Sequence, residues 1–272
     1  MYDRILVPLD GSRFSEEMIP YASGLAAAHG TALTLMRVVT KEAEQGEATR
    51  YVESLATTRG ATGICVVADG DVAEAVLAQA QRVPHTLVAM TSHGRSGLME
   101  AMLGSVALRV VRSGGAPVLV YSPTGTASAD AASVKIRSVV LPLDGTELSE
   151  AMAPQAAEFA RWVGAELMVV VAIDPKTTGG SDRPNSDMMK GLESGYVRSK
   201  ARELAARHDV RVNWDVLHGD PIEAIPGYVA GRRDVMLAMV TRGRPALESA
   251  LLGSVTSSCL RKAGVPVLMR LP

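Results

Sequence analysis

Two glycine-centred sets could carry anion chemistry. Gly94 is followed, after nine intervening residues, by Gly104-Ser105, and Gly243 is followed at the same spacing by Gly253-Ser254. Glycine has no Cβ, so backbone N–H groups around it can approach an anion closely. A Gly-Ser pair at a helix start adds exposed N–H groups and a hydroxyl suited to phosphate oxygens. Arg95 and Arg244 directly follow the first glycine of each set and can add charge-assisted hydrogen bonds. One such pattern reads equally well as a pair of turns. Its recurrence at identical spacing favours an anion site.

Asp10 and Asp144 each follow a Pro-Leu pair at the end of an apolar run. A carboxylate there can accept hydrogen bonds from a ribose. It can equally close an Asp-Gly turn and cap the next helix. Both readings stay open at this level.

Catalytic signatures are missing. No G-x-x-x-x-G-K-[S/T] segment places a lysine over β- and γ-phosphates, and neither G-x-G-x-x-G, G-x-S-x-G nor H-E-x-x-H occurs. The five histidines have no metal-ligand spacing. His93 lies in the glycine loop, where it can meet a ligand, but its copy is Arg242, which argues against a shared general base. Asp10 and Asp144 can hold Mg²⁺ through water, although nothing requires it. No catalytic residue and no direct metal ligand is assigned. Cys65 and Cys259 form no C-x-x-C pair and read as structural, buried residues.

The elements that must position these residues come twice. Residues 4–12, RILVPLDGS, match residues 138–146, SVVLPLDGT, at an offset of 134. Later matches, such as Gly70-Asp71 onto Gly219-Asp220 and Pro117-Val118-Leu119 onto Pro266-Val267-Leu268, run at an offset of 149. The difference implies about 15 extra residues in the second half, and DPKTTGGSDRPNSD (174–187) is the obvious insertion, read as a loop. The small, polar stretch SPTGTASADAAS has linker composition. The expected organisation is a first domain over 1–124, a linker over 125–134 and a second domain over 135–272.

Within the first repeat, five apolar strands alternate with four helices. Strands without polar alternation are buried on both faces, which means a parallel sheet covered by helices. Right-handed crossovers then give a doubly wound α/β fold. Ligands of such folds bind beyond the carboxyl ends of the strands, where the strand order reverses. Ser12 is the expected N-cap of the first helix, Gly30 its C-cap, and Pro20 a kink within it. The helix after the glycine loop is expected near 98–113.

Composition limits the alternatives. The chain has 272 residues, 47% of them hydrophobic and 21% charged, which is ordinary globular composition. Aromatics are 4%, so Val, Leu, Ile, Met and Ala must fill the core. The net charge is −1, which gives no cationic excess for nucleic-acid binding. No apolar stretch is long enough to span a membrane, and the chain reads as soluble and cytoplasmic.

The VPLDGS and LPLDGT segments, the SHG and TRG turns, and the two GSV…PVL endings together resemble the universal stress proteins, here in tandem. The resemblance covers nearly the whole chain. It implies two five-stranded, mostly parallel domains of the adenine-nucleotide alpha-hydrolase type, arranged as a pseudo-dimer through their last strands. A homodimer of the whole chain is compatible with it. ATP-binding relatives carry G-x2-G-x9-G-[S/T], and Thr91 and Val240 replace the first glycine here. A Cβ at that point crowds a nucleotide and opposes positive φ, so the first site is expected to be the better one.

By the same resemblance, Pro8, Leu9, Asp10, Val39 and Met90 would surround the adenosine. Gly94, Arg95, Gly104, Ser105, Val106 and Ala107 would meet the phosphates. The second set is Pro142, Leu143, Asp144, Ala172, Met239, Gly243, Arg244, Gly253, Ser254, Val255 and Thr256. The implied function is non-enzymatic binding of an adenine nucleotide, ATP first, with AMP or cyclic AMP as alternatives and Mg²⁺ as an accompanying ion. The rival readings are a protein-interaction module with decayed sites, a slow ATPase, and a true hydrolase or transferase.

Overall fold

A computed structural model describes residues 1–93, 103–113, 115–123, 131–174, 186–241 and 252–271. Five expectations touch residues outside that set: Gly94 with Arg95, Gly243 with Arg244, the start of the helix expected from residue 98, residues 125–130 of the expected linker, and most of the 174–187 insertion.

The first unit begins with β1 (Arg4–Leu9), α1 (Arg13–Glu16), α2 (Ile19–His29) and β2 (Ala32–Val39). It continues through α3 (Gln45–Thr57), β3 (Thr62–Val67), α4 (Val72–Gln81), β4 (Thr86–Thr91), α5 (Ser105–Ser113) and β5 (Val118–Tyr121). The strands lie in the order β3-β2-β1-β4-β5, and every neighbouring pair is parallel. The chain leaves β1 toward β2 and β3, then returns to β1's other side with β4. The strand order therefore reverses between β1 and β4.

The second unit repeats the plan with β6 (Ser138–Leu143), α6 (Glu147–Glu150), α7 (Ala153–Val163) and β7 (Glu166–Ile173). Then come α8 (Ser186–His208), β8 (Val212–His218), α9 (Pro221–Val229), β9 (Val235–Val240) and α10 (Ser254–Lys262), and the last element of the chain is β10 (Val267–Arg270). β6 lies between β7 and β9, again in parallel, and β8 follows β7. The two-unit α/β architecture with parallel sheets is the one the sequence predicts.

The strands are buried because they are apolar on both faces. Ile5, Leu6, Leu35, Met36, Leu87 and Leu119 are all fully buried in the first unit. The aliphatic core has exceptions. Phe159 is fully buried, with its ring edge-on to Trp162 at 5.3 Å, and Tyr21 sits 5.1 Å from Tyr121.

Local signals act mostly as expected. The Ser12 side chain accepts from Ser15 N, and Gly30 closes α2 in the left-handed region at φ 64°. Pro20, however, does not kink a long helix. It occupies the first turn of α2, after a break at Glu17-Met18, where its missing N–H costs nothing. Pro154 does the same in α7.

The end of the expected linker is not loose. Val134 N donates to Pro20 O at 2.9 Å, and Arg59 Nη2 donates to Ala131 O at 2.9 Å. Gly24, on α2, permits this contact: a Cβ there would lie 1.8 Å from Val134 O.

Candidate functional site

β1 stays paired with β2 as far as Leu9↔Arg37, but its pairing with β4 ends at Leu6↔Val88. Pro8 follows two residues later and has no N–H to continue a ladder. In the second unit β6 pairs with β7 through Leu143↔Val171 and leaves β9 after Val140↔Leu237, ahead of Pro142. A crevice opens at each of these partings.

The first crevice holds a cavity of about 340 Å³ lined by Pro8, Leu9, Asp10, Arg37, Val38, Met90, Thr91, Ser92, His93, Gly104, Ser105, Val106 and Ala107, with Ser15 and Val72 at its edge. The second holds about 180 Å³, lined by Pro142, Leu143, Asp144, Ala172, Met239, Val240, Gly253, Ser254, Val255 and Thr256. Leu148, Pro221 and Ile225 also face it. All the described residues expected at the two sites, except Val39, thus come together.

Val39 is one residue out of place. It faces a neighbouring groove with Gly11, Arg37, Glu44, Glu47 and Tyr51. The first cleft has Val38 instead, which is the true counterpart of Ala172, because both follow the residue that pairs with the last leucine of the first strand. Successive strand residues point to opposite faces, so a shift of one changes the surroundings completely.

The crowding expected from Thr91 and Val240 does not arise from backbone conformation. Both are terminal strand residues, and neither is among the described non-glycine residues with positive φ. Their side chains form part of the cleft wall.

The helix starts are fixed from behind. Gly104 N donates to Ser92 O at 2.7 Å, and Leu108 N reaches back to Gly104 O at 2.9 Å. A Cβ on Gly104 would stand 3.3 Å from Ser92 O, so the glycine lets α5 dock closely on the end of β4. Arg109 of α5 pairs with Asp71, the N-cap of α4. In the second unit Ser257 N closes onto Gly253 O at 2.9 Å. The first N–H groups of a helix have no partner within it, so each start presents donors and a positive dipole end to the cleft.

The aspartates act as turn residues. Asp10 Oδ1 accepts from Ser12 N at 2.9 Å and Ser12 Oγ at 2.5 Å. Asp144 Oδ1 accepts from Thr146 N at 3.0 Å and Thr146 Oγ1 at 2.6 Å. These bonds hold each carboxylate at the cleft wall. Partial burial pushes the Asp144 pKa up, but hydrogen bonds from Ser149 and Thr146 outweigh it, and the net shift is downward. A depressed carboxylate pKa stabilises the fold above the ordinary Asp value and loses that contribution as pH falls below it. The expected result is a fall in melting temperature of the intact chain below about pH 4, shallower in Asp144→Asn. Identical acid profiles for the two proteins would contradict it.

His93 lines the first cleft, with Nδ1 2.8 Å from Ser92 Oγ. Burial lowers its pKa, against the opposing influence of Glu17, so the ring is neutral at pH 7. The other titratable predictions divide. Cys259 is fully buried, and its thiol is pushed up to about 12 by burial. Cys65, on β3, is only half-buried.

One duplicated contact escaped the sequence reading. Tyr51 of α3 donates to Glu16 Oε1 at 2.8 Å, and Tyr196 of α8 donates to Glu150 Oε1 at 2.7 Å. Each ties the short helix after the aspartate turn to a sheet-covering helix. Burial first, and the glutamate second, raise both phenol pKa values. Lys200 adds an ion pair to Glu150 at 2.8 Å. The repeated Ser-Glu pairs were visible signals; their tyrosine partners lie at a different offset.

Among the described residues, no group of three His, Cys, Asp or Glu side chains is placed to hold a metal ion, and no helix is long and apolar enough to cross a membrane.

The fold and its clefts define a class: a duplicated, doubly wound α/β unit with a crevice at each strand-order reversal. The universal stress protein family model matches residues 1–122 and 135–270, and the chain belongs to that family. A universal stress protein of Methanocaldococcus jannaschii is 27% identical over 138 residues, covering 49% of this chain and 81% of its own. One from Mycobacterium tuberculosis is 30% identical over 192 residues, covering 67% of this chain and 61% of its own. The crystal structure of a universal stress protein from Archaeoglobus fulgidus superposes with a TM-score of 0.70 at 18% identity, over 100% of this chain and 99% of that one.

Proposed function

We propose that this chain is a stress-response module that binds adenine nucleotides, ATP foremost, one in each cleft, without turning them over. One observation carries the reading. Both repeats gather a strand-end aspartate, an apolar wall and a Gly-Ser helix start around a single crevice. The apolar wall, including Met90 or Met239, suits the base. The turn-held Asp10 or Asp144 suits the ribose. The N–H groups of residues 105–107 or 254–256 suit phosphates. Gly94, Arg95, Gly243 and Arg244 belong to the same proposal. AMP and cyclic AMP fit the same wall and cradle. Mg²⁺ would accompany the triphosphate. A cytoplasmic location and a homodimer belong to the same reading.

No group in either described cleft is set up as a strong base. Burial lowers the His93 pKa and so weakens it as a base, its Nδ1 is engaged by Ser92, and the aspartates are committed to their turns, so turnover is expected to be slow at best.

Denaturing freshly purified protein and weighing what is released tests the reading, together with melting curves in ATP, AMP and cyclic AMP. Ligand at 100 times its Kd stabilises by about 2.7 kcal/mol. Two nucleotides per chain and a raised Tm are the expected outcome. No released nucleotide and no shift with any of the three would leave the interaction-module reading in its place.

A further inference from the structure

The two units treat their outer strands differently. β3 bonds to β2 and β8 to β7, and among the described residues neither has a second neighbour. Ala68 N donates to Val39 O, so β3 turns the N–H and C=O groups of Gly63, Cys65 and Val67 outward, away from β2. By the same alternation, the bond from Gly219 N to Ile173 O sends those of Trp214 and Val216 outward on β8. β8 is closed to a further strand. Val216 N is taken by the Asp215 carboxylate at 2.8 Å, and Asp215 is itself an exposed charge in mid-strand. β3 has no such guard. Its sequence, TGICVV, holds neither charge nor proline, Thr62 and Val67 at its ends are exposed, and the residues between them are half-buried. Its face is nonetheless covered. A Cβ on Gly63 would lie 3.0 Å from the backbone of Val52 and Glu53, so α3 rests directly on the strand and the edge alone is open.

An open row of N–H and C=O groups is a template for another strand. We propose that the β3 edge takes β3 of a second copy of this chain, antiparallel, about a two-fold axis through Cys65. The outward groups are symmetric about Cys65. This register therefore sets Cys65 opposite its own copy and Gly63 opposite Val67, each as a hydrogen-bonded pair, and leaves none of the three residues unpaired. An uncharged strand also meets itself without like-charge repulsion. The pairing uses up the edge in both copies, so assembly through it stops at two. This rests on the homodimer of the proposed function and names its surface, and it does not depend on the nucleotide.

Sedimentation and amide hydrogen exchange of the full chain at rising concentration test it. The expected result is a species of twice 28.6 kDa, with concentration-dependent protection confined to Gly63, Cys65 and Val67. Val67→Pro removes an outward N–H and no bond to β2, and symmetry removes it twice per dimer. It should weaken association about tenfold or more, with an unchanged circular dichroism spectrum reporting a folded chain. Val67→Thr, which keeps the N–H, should associate like the parent. A monomer at every concentration would overturn the edge and the homodimer alike, leaving the strand to a different protein. A dimer protected elsewhere, assemblies larger than two, or unchanged association in Val67→Pro would overturn the edge alone. ATP binding in the same samples reports separately on the clefts.

Discussion

Ser105→Asp is expected to abolish most nucleotide binding in the first unit while leaving the unliganded chain at least as stable as the parent. Ser105 is exposed and opens the nine-residue helix α5. An acid in the first turn of a helix interacts favourably with the dipole by about 0.3–1 kcal/mol. Folding therefore tolerates the change or gains from it. The same carboxylate occupies the space offered to a phosphate and repels it. Like charges about 4 Å apart near a protein surface cost several kcal/mol before screening. A loss of about 2–3 kcal/mol, roughly a hundredfold in affinity, is a reasonable magnitude. Calorimetric titration at low and high salt measures it, and the defect should shrink as salt rises. Ser254→Asp should act in the same way on the second unit. Unchanged affinity in a chain carrying both substitutions would show that phosphates do not lie at these helix starts.

Gly24→Ala is expected to destabilise, against the usual sign. Alanine within a helix normally gains up to about 1 kcal/mol over glycine. Here the new Cβ would lie 1.8 Å from Val134 O and 2.6 Å from Val134 C. Those atoms are backbone and cannot rotate aside. Either α2 shifts or the segment at 131–134 lifts off and loses its bonds to Pro20 and Arg59. Overpacking of this kind costs about 1–3 kcal/mol net. For a chain of this size that lowers Tm by several degrees, and limited proteolysis should find a new cutting site near Ala131–Val134. A Tm equal to or above the parent's would mean that the segment is not seated on α2.

Much of this was legible because repeated sequence carries the same physics twice. The apolar runs without alternation gave parallel strands, and the Pro-Leu-Asp endings located the crevice. What remained hidden depends on facing rather than spacing. The resemblance implies Val39, whereas the cleft holds Val38, because which face a strand residue takes depends on its pairing with neighbouring strands. The Tyr51–Glu16 and Tyr196–Glu150 contacts join elements whose separation differs between repeats. The polar stretch after residue 121 had linker composition, yet its end is held because a glycine 110 residues earlier leaves room for its backbone.

Pro8 and Pro142 give the crevices a property that loop-built sites lack. Each opening begins where a strand has no hydrogen to offer its neighbour, so the gap is written into the covalent chain. Substitution can thus rework the residues that line the opening, as Val38 and Ala172 illustrate, without the opening itself being lost.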